Sequence, residues 1–153
     1  AFLINPLWGR DLTLEAEVLA EADSVASMIV RGNPSAMAGY RISLDFERGV
    51  VGFYLRFPAR PDQPIQERPI NLKAETWHKL KVVVRWKFFE IYVDDNLVIV
   101  HDQRIYEDGC FGLHARGVVT FRQVRAYNVN ASEPAEKDWT RRCQPRHLFS
   151  GLR

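Results

Sequence analysis

The chain has 153 residues, 46% hydrophobic, 12% aromatic and 26% charged, enough for one domain with a sizeable core and too apolar for a disordered segment. Twenty-one basic against nineteen acidic residues leave a net charge of only +2, so bulk charge gives nucleic-acid binding no support. No apolar run approaches the roughly 20 residues that a membrane-crossing helix needs.

The chain opens on Ala1 rather than Met, which suggests a processed or excised product whose signal peptide, if it had one, is already gone. Residues 1–10 are apolar through Trp8 and lack alternation, so an irregular N-terminal extension is expected there. From Asp11 the period is two. Leu12, Leu14, Ala16 and Val18 alternate with polar residues, the pattern of a half-buried antiparallel strand. Gly32-Asn33-Pro34-Ser35 interrupts the chain before Tyr40, Ile42, Leu44 and Phe46, which alternate with Arg41, Ser43, Asp45 and Glu47. Arg48-Gly49 supplies a tight turn into Val51, Phe53, Leu55 and Phe57. Pro58, Pro61, Pro64 and Pro69 exclude a central strand and predict an extended loop crossing an edge.

Leu80, Val82, Val84 and Trp86 form one apolar face, which places Trp86 in the core, and Trp77 at the start of that run is expected there too. Phe89, Ile91 and Val93 follow, and Asp94-Asp95-Asn96 reverses the chain into Leu97–Val100, since Asp and Asn tolerate positive φ. Gly109 and Gly112 flank Cys110-Phe111 before a last strand over 118–129. Eight or more short strands without a credible long helix predict an all-β sandwich or barrel, read here as a two-sheet antiparallel β-sandwich over residues 11–130. Residues 1–130 hold sixteen charges of each sign; the excess falls in the tail, 131–153, where Lys137, Arg141, Arg142, Arg146 and Arg153 outweigh three acids.

Catalytic signatures are missing from the sequence. The four histidines (His78, His101, His114, His147) have no metal-ligand spacing, and there is no Gly-x-Ser-x-Gly elbow or phosphate loop. Asp45 and Glu47 share a strand face, but they flank a hairpin and lack the surrounding carboxylates of a sandwich glucanase. Cys110 and Cys143 could close a loop of about 30 residues and add about 3–4 kcal/mol, or remain two thiols. No cofactor is expected. Calcium is the one candidate, at Asp94, Asp95 and Asn96, although one tight turn falls short of the roughly six to eight oxygen ligands required.

Glu75-Thr-Trp-His-Lys-Leu-Lys-Val-Val-Val84, Phe89-Glu-Ile-Tyr-Val-Asp-Asp-Asn-Leu-Val-Ile99, Gly109-Cys-Phe-Gly-Leu-His114 and Val119-Thr-Phe-Arg-Gln-Val-Arg125 together resemble the concanavalin-A-like, laminin-G-like sandwich modules (jelly-roll folds). Within these, Met28-Ile-Val-Arg31 and Gly39-Tyr40 are similar to the fructan-binding modules of levanases and inulinases. The resemblance covers about residues 11–129. The family's opening strand has no clear counterpart in Ala1–Gly9, and its hairpin glycine is Asp95 here. The resemblance implies a noncatalytic, lectin-like module, extracellular or periplasmic, that recognises a terminal sugar, with fructan as the candidate ligand.

A sugar is held by planar hydrogen-bonding groups and an aromatic face. Arg31, Tyr40, Asp45, Tyr54 and Arg56 could supply both, with Arg31 and Asp45 bracketing hydroxyls and Tyr40 as the stacking surface. On that expectation, alanine at Arg31 or Tyr40 removes binding and leaves stability nearly intact. The alternative is an accessory subunit docking onto a larger protein assembly through its ends, by Phe2, Leu3, Ile4, Leu7 and Trp8 and by Arg141, Arg142 and Phe149.

Overall fold

A computed structural model describes residues 2–34 and 37–131, with the side chains of 2–8 and 131 outside the description. Among the described residues all regular structure is strand: β1 (Phe2–Ala20), β2 (Val25–Asn33), β3 (Ala38–Asp45), β4 (Val50–Arg56), β5 (Gln63–Pro69), β6 (His78–Arg85), β7 (Phe88–Val93), β8 (Asn96–Asp102), β9 (Gly109–Arg116) and β10 (Val119–Ala131). No helix there is long and apolar enough to cross a membrane.

The two layers are joined because β1 belongs to both. Its first residues pair antiparallel with β9 (Phe2 opposite His114, Asn5 opposite Phe111), which extends the sheet β5-β4-β3-β2-β9. Beyond Arg10 it runs between β6 and β10, with Leu14 opposite both Val82 and Ala126, and β7 and β8 complete that second sheet. The alternation then does what period two demands. Leu12, Leu14 and Val18 of β1 face Met28 and Val30 of β2, Tyr40, Ile42 and Leu44 of β3, Val51 and Phe53 of β4, Leu80, Val82 and Val84 of β6 and Phe89 and Ile91 of β7, all in one buried cluster. Polar partners of the same strands, such as Arg41, Ser43 and Tyr54, line the outer face.

The predicted sandwich is observed, with four local differences. Phe2–Arg10 is strand rather than irregular chain; Pro6 and a register shift between Asn5 and Gly9 remove the alternation that would have marked it. The proline-rich stretch contains a true edge strand, β5, paired only with β4, where Pro64 and Pro69 need no second ladder. Trp86 is 61% exposed. The chain reverses at Trp86-Lys87, so that Arg85 pairs with Phe88, and Trp86 leaves the apolar face at φ 54°. Trp77 is half-buried outside the core, its ring beneath the Arg122 guanidinium at 3.6 Å. The basic tail lies outside the described residues apart from Ala131.

Candidate functional site

The end of the sandwich, where β1 passes from one sheet to the other, carries a pocket of about 200 Å³. Arg10 and Asp11 of β1, Arg31 of β2, the Trp86-Lys87 turn and Gln103, Arg104 and Glu107 of the loop after β8 surround it. Arg31 forms its floor. By alternation from Met28 and Val30 its side chain belongs on the outer face. An irregularity after Val30 and a φ of 48° instead turn its guanidinium onto the Phe89 ring, 5.2 Å from the centroid.

That guanidinium is 2% exposed and its donors are engaged by the protein itself. Nε donates to the Arg10 carbonyl (3.0 Å), Nη1 to the Tyr106 carbonyl (3.1 Å) and Nη2 to the Trp86 carbonyl, while Asp11 lies 3.7 Å away. Burial pulls the Arg31 pKa below its ordinary value, with Asp11 among the neighbours opposing the shift. Tyr40 is fully buried, so it offers no stacking face to a ligand. Its ring packs on Phe89 (4.8 Å) and Phe53 (5.6 Å), and its hydroxyl accepts the Ile105 and Tyr106 N–H groups at 3.1 and 3.2 Å. The two residues expected to grip a ligand therefore hold the pocket's own wall: Arg31 and Tyr40 together pin the loop that carries Gln103, Arg104 and Glu107.

The aromatic surface at this pocket is Trp86. Its backbone N–H donates to Asp11 Oδ1 at 2.8 Å and its backbone carbonyl accepts from Arg31, so the turn is fixed while the indole projects into solvent. Phe88 stands edge-on at 5.8 Å, and Arg104 and Lys87 lie 5.1 and 5.0 Å from the indole ring. A bulky side chain at positive φ costs of order 1 kcal/mol or more, a strain commonly found at functional positions.

Asp45, Tyr54 and Arg56 are elsewhere. Asp45 pairs with Val25, six positions along β2 from Arg31, or about 20 Å at 3.3 Å per residue. The two cannot bracket one sugar. Asp45 caps the β3–β4 turn, accepting the Glu47 and Arg48 N–H groups at 3.1 and 3.0 Å, so Asp45 and Glu47 are hairpin residues. Burial would raise the Asp45 pKa, but the Arg48 amide and guanidinium together hold it below the ordinary value. With Arg41, Ser43, Asp62, Glu67, His114 and Arg116 these residues line a second space, a cleft of about 470 Å³ on the outer face of the first sheet. Tyr54 is pushed up to about 12 by burial and by donating its O–H to Glu67 at 2.8 Å, and Arg41 covers its ring at 4.1 Å.

His114 in this cleft has its pKa pushed down chiefly by burial, with the charges of Arg56 and Arg41 among the groups that add to it. The unfolded chain keeps the ordinary value, about 6.5, and so binds the proton more readily than the fold. Stability from this group is complete above about pH 6.5 and is lost as pH falls toward the folded-state value. Denaturant midpoints measured from about pH 8 down to about pH 5 should decline, and His114→Gln should remove that part of the slope. An unchanged slope in the variant would assign the decline to other groups.

No protein-family model matches the chain. The levanase of Bacillus subtilis (strain 168) is 25% identical over 117 residues, 74% of this chain but 17% of the levanase's length. Among solved structures, the carbohydrate binding module CBM66 from Bacillus subtilis superimposes with a TM-score of 0.75 at 24% identity, over 82% of this chain and 80% of the module. The galectin LEC-6 of Caenorhabditis elegans gives 0.62 at 14% identity, over 87% and 90%. The chain shares their sandwich fold.

Of the other expected residues, Asp94 and Asp95 are exposed on the β7–β8 turn, with their carboxylates engaged by protein groups. Asp94 Oδ2 lies 2.7 Å from His78 Nδ1, its Oδ1 accepts the Lys79 N–H at 2.8 Å, and Asp95 pairs with the Lys79 ammonium at 3.1 Å. Among the described residues no three His, Cys, Asp or Glu side chains gather as a metal site. Cys110 is buried and disulfide-bonded rather than a free thiol; Cys143 lies outside the described residues. Phe2, Leu3, Ile4, Leu7 and Trp8 fall within β1, where the backbone of Phe2–Ile4 pairs with β9. Their side chains, and Arg141, Arg142 and Phe149 altogether, lie outside the described residues. Sequence reasoning missed Trp86, Asp11 and the 103–107 loop. The signal available for Trp86 was the break between two strands at Trp86-Lys87, where a period-two count should have stopped.

Proposed function

We propose that this chain is a noncatalytic carbohydrate-binding module whose end pocket seats one terminal sugar residue, with fructan as the ligand class. The observation that carries this reading is the exposed Trp86 ring standing over a small polar pocket. A sugar presents a C–H face that packs on an aromatic ring and hydroxyls that pair with fixed polar groups. Trp86 supplies the first; Asp11, Gln103 and Glu107 supply acceptors, and Lys87 and Arg104 supply donors. A volume of about 200 Å³ suits one ring rather than an internal stretch of chain. The fold likeness to a carbohydrate binding module and the matching stretch of a levanase support the ligand class, and we read the module as one that works outside the cell.

Titration calorimetry with short levan and inulin oligosaccharides tests the reading. Trp86→Ala should weaken binding about tenfold to a hundredfold, from about 1.5–3 kcal/mol of lost ring burial. Its thermal stability should change little, because the ring is already in water. Equal binding in the variant would discard the site, and a folded wild-type chain that ignores fructans and other neutral glycans would discard the function.

A further inference from the structure

Cys110 is disulfide-bonded and only 2% exposed, and the sequence holds one other cysteine, Cys143. Disulfide geometry brings two Cα atoms within about 7 Å, which a sulfur so deeply covered cannot offer to a second molecule without moving its strand. The bond therefore joins β9 to the tail of the same chain. Chain length allows it. Gly9 lies opposite Ala131 of β10 on one side and Gly109 of β9 on the other, so β10 ends two strand spacings, about 10 Å, from the start of β9. The twelve residues 132–143 span at most about 40 Å, so the tail has slack to return.

Cys110 sits among apolar residues that the core does not claim. Met28 and Val30 point between the sheets, so Ile29 faces outward, opposite Arg41. A side chain there belongs in water, yet Ile29 is 2% exposed, and Ala38 is buried as well; with Cys110, both lie outside the core cluster. With Met37 and Gly112 they line one shallow apolar hollow across β9, β2 and the start of β3. Gly32 stands opposite Cys110 and Gly112 opposite Ile29, so two positions on its floor carry no side chain.

We propose that residues 143–149 form a strap over this hollow, with Cys143 bonded to Cys110 and Leu148-Phe149 seated on Ile29, Met37 and Ala38. The direction follows from the strand order β3-β2-β9-β1. The tail arrives from the side of β1 and β10, and Cys143 is fixed at β9, so the residues after it continue over β2 and β3. Two strand spacings are about 10 Å, and the five or six residues from Cys143 to Leu148-Phe149 reach further than that. Leu148 and Phe149 are the first large apolar residues after Cys143. A ring seated on its own sheet is not offered to a larger assembly, so the strap opposes the reading of Phe149 as a partner-docking residue. It does not depend on the end pocket.

The test uses the full chain secreted into an oxidising compartment. Peptide mapping without reductant should find Ile105–Arg116 linked to the peptide that begins at Cys143. In protein carrying labelled isoleucine methyls and phenylalanine rings, nuclear Overhauser contacts should join Phe149 to Ile29. Phe149→Ser should lower the Tm by about 5 °C with the disulfide intact, whereas a ring in water would leave it unmoved. Cys143→Ser should lower it by about 10 °C, the effect of opening a loop of about 30 residues. Two free thiols in the folded wild-type chain would overturn the anchor. A linked peptide without the Phe149–Ile29 contact, or with an unchanged Tm in Phe149→Ser, would overturn the seating. Contacts to Ile29 that arise only between differently labelled molecules would assign the hollow to a second copy and overturn the strap.

Discussion

Replacing Arg31 by alanine is expected to destabilise the fold by about 3–5 kcal/mol, besides removing binding at the end pocket. The guanidinium is 2% exposed and joins four pieces of chain: β1 through the Arg10 carbonyl, the β6–β7 turn through the Trp86 carbonyl, the loop after β8 through the Tyr106 carbonyl, and the core through the Phe89 ring. Its loss leaves three carbonyls without that donor and Asp11 without the cation 3.7 Å away, and each unsatisfied group costs about 1–3 kcal/mol where water cannot replace the bond. Lysine should rescue only in part, because one ammonium cannot reach three acceptors in the fork geometry of a guanidinium. Denaturant titration checks this, with an unchanged m-value showing that the loss is one of native stability. A loss below about 1 kcal/mol would mean that water serves those carbonyls and that Arg31 is free to face a ligand. The burial and bonds of Arg31 thus argue for a stability loss where the sequence led us to expect none.

Alternation made the sandwich legible, and it failed where the chain stops being a plain strand. In β3 Tyr40, Ile42 and Leu44 are buried while Arg41 and Asp45 are partly exposed, and only Ser43, bonded to Ser27, departs from the split by being buried; in β6 Leu80, Val82 and Val84 alternate with more exposed neighbours throughout. Arg31 was found by its motif, but its direction was not, because one irregular residue carries the side chain from the outer face to the floor of a pocket. Trp86 fails in the opposite sense: a two-residue turn takes it out of the apolar face that the spacing assigned to it. Asp45, Tyr54 and Arg56 were correctly placed on a polar face. That they share a cleft with Asp62 and Glu67, away from Arg31, follows from the pairing of β3, β4 and β5, which no single strand's pattern encodes.

Gly109→Ala tests how much of the pocket depends on backbone rather than side chains, and a loss of about 3 kcal/mol is expected. An added Cβ at Gly109 would sit 2.4 Å from the Arg31 carbonyl carbon and 2.6 Å from the Gly32 nitrogen. Gly39, at φ 128°, meets the same segment, with its Cβ position 2.8 Å from the Gly32 Cα. Three glycines from three neighbouring strands therefore let β2 carry its irregularity without being pushed apart by β3 and β9. The neighbours of Gly109 are backbone atoms, so no side-chain rotation relieves the clash, and the segment bearing Arg31 has to move. A shift of the Arg31 backbone displaces all three carbonyl bonds of its guanidinium at once, so fructan affinity should fall with stability. Trp86→Ala should lower affinity alone. If Gly109→Ala keeps its stability within about 1 kcal/mol and binds normally, the clash is absorbed locally, and the placement of Arg31 does not depend on glycine at this position.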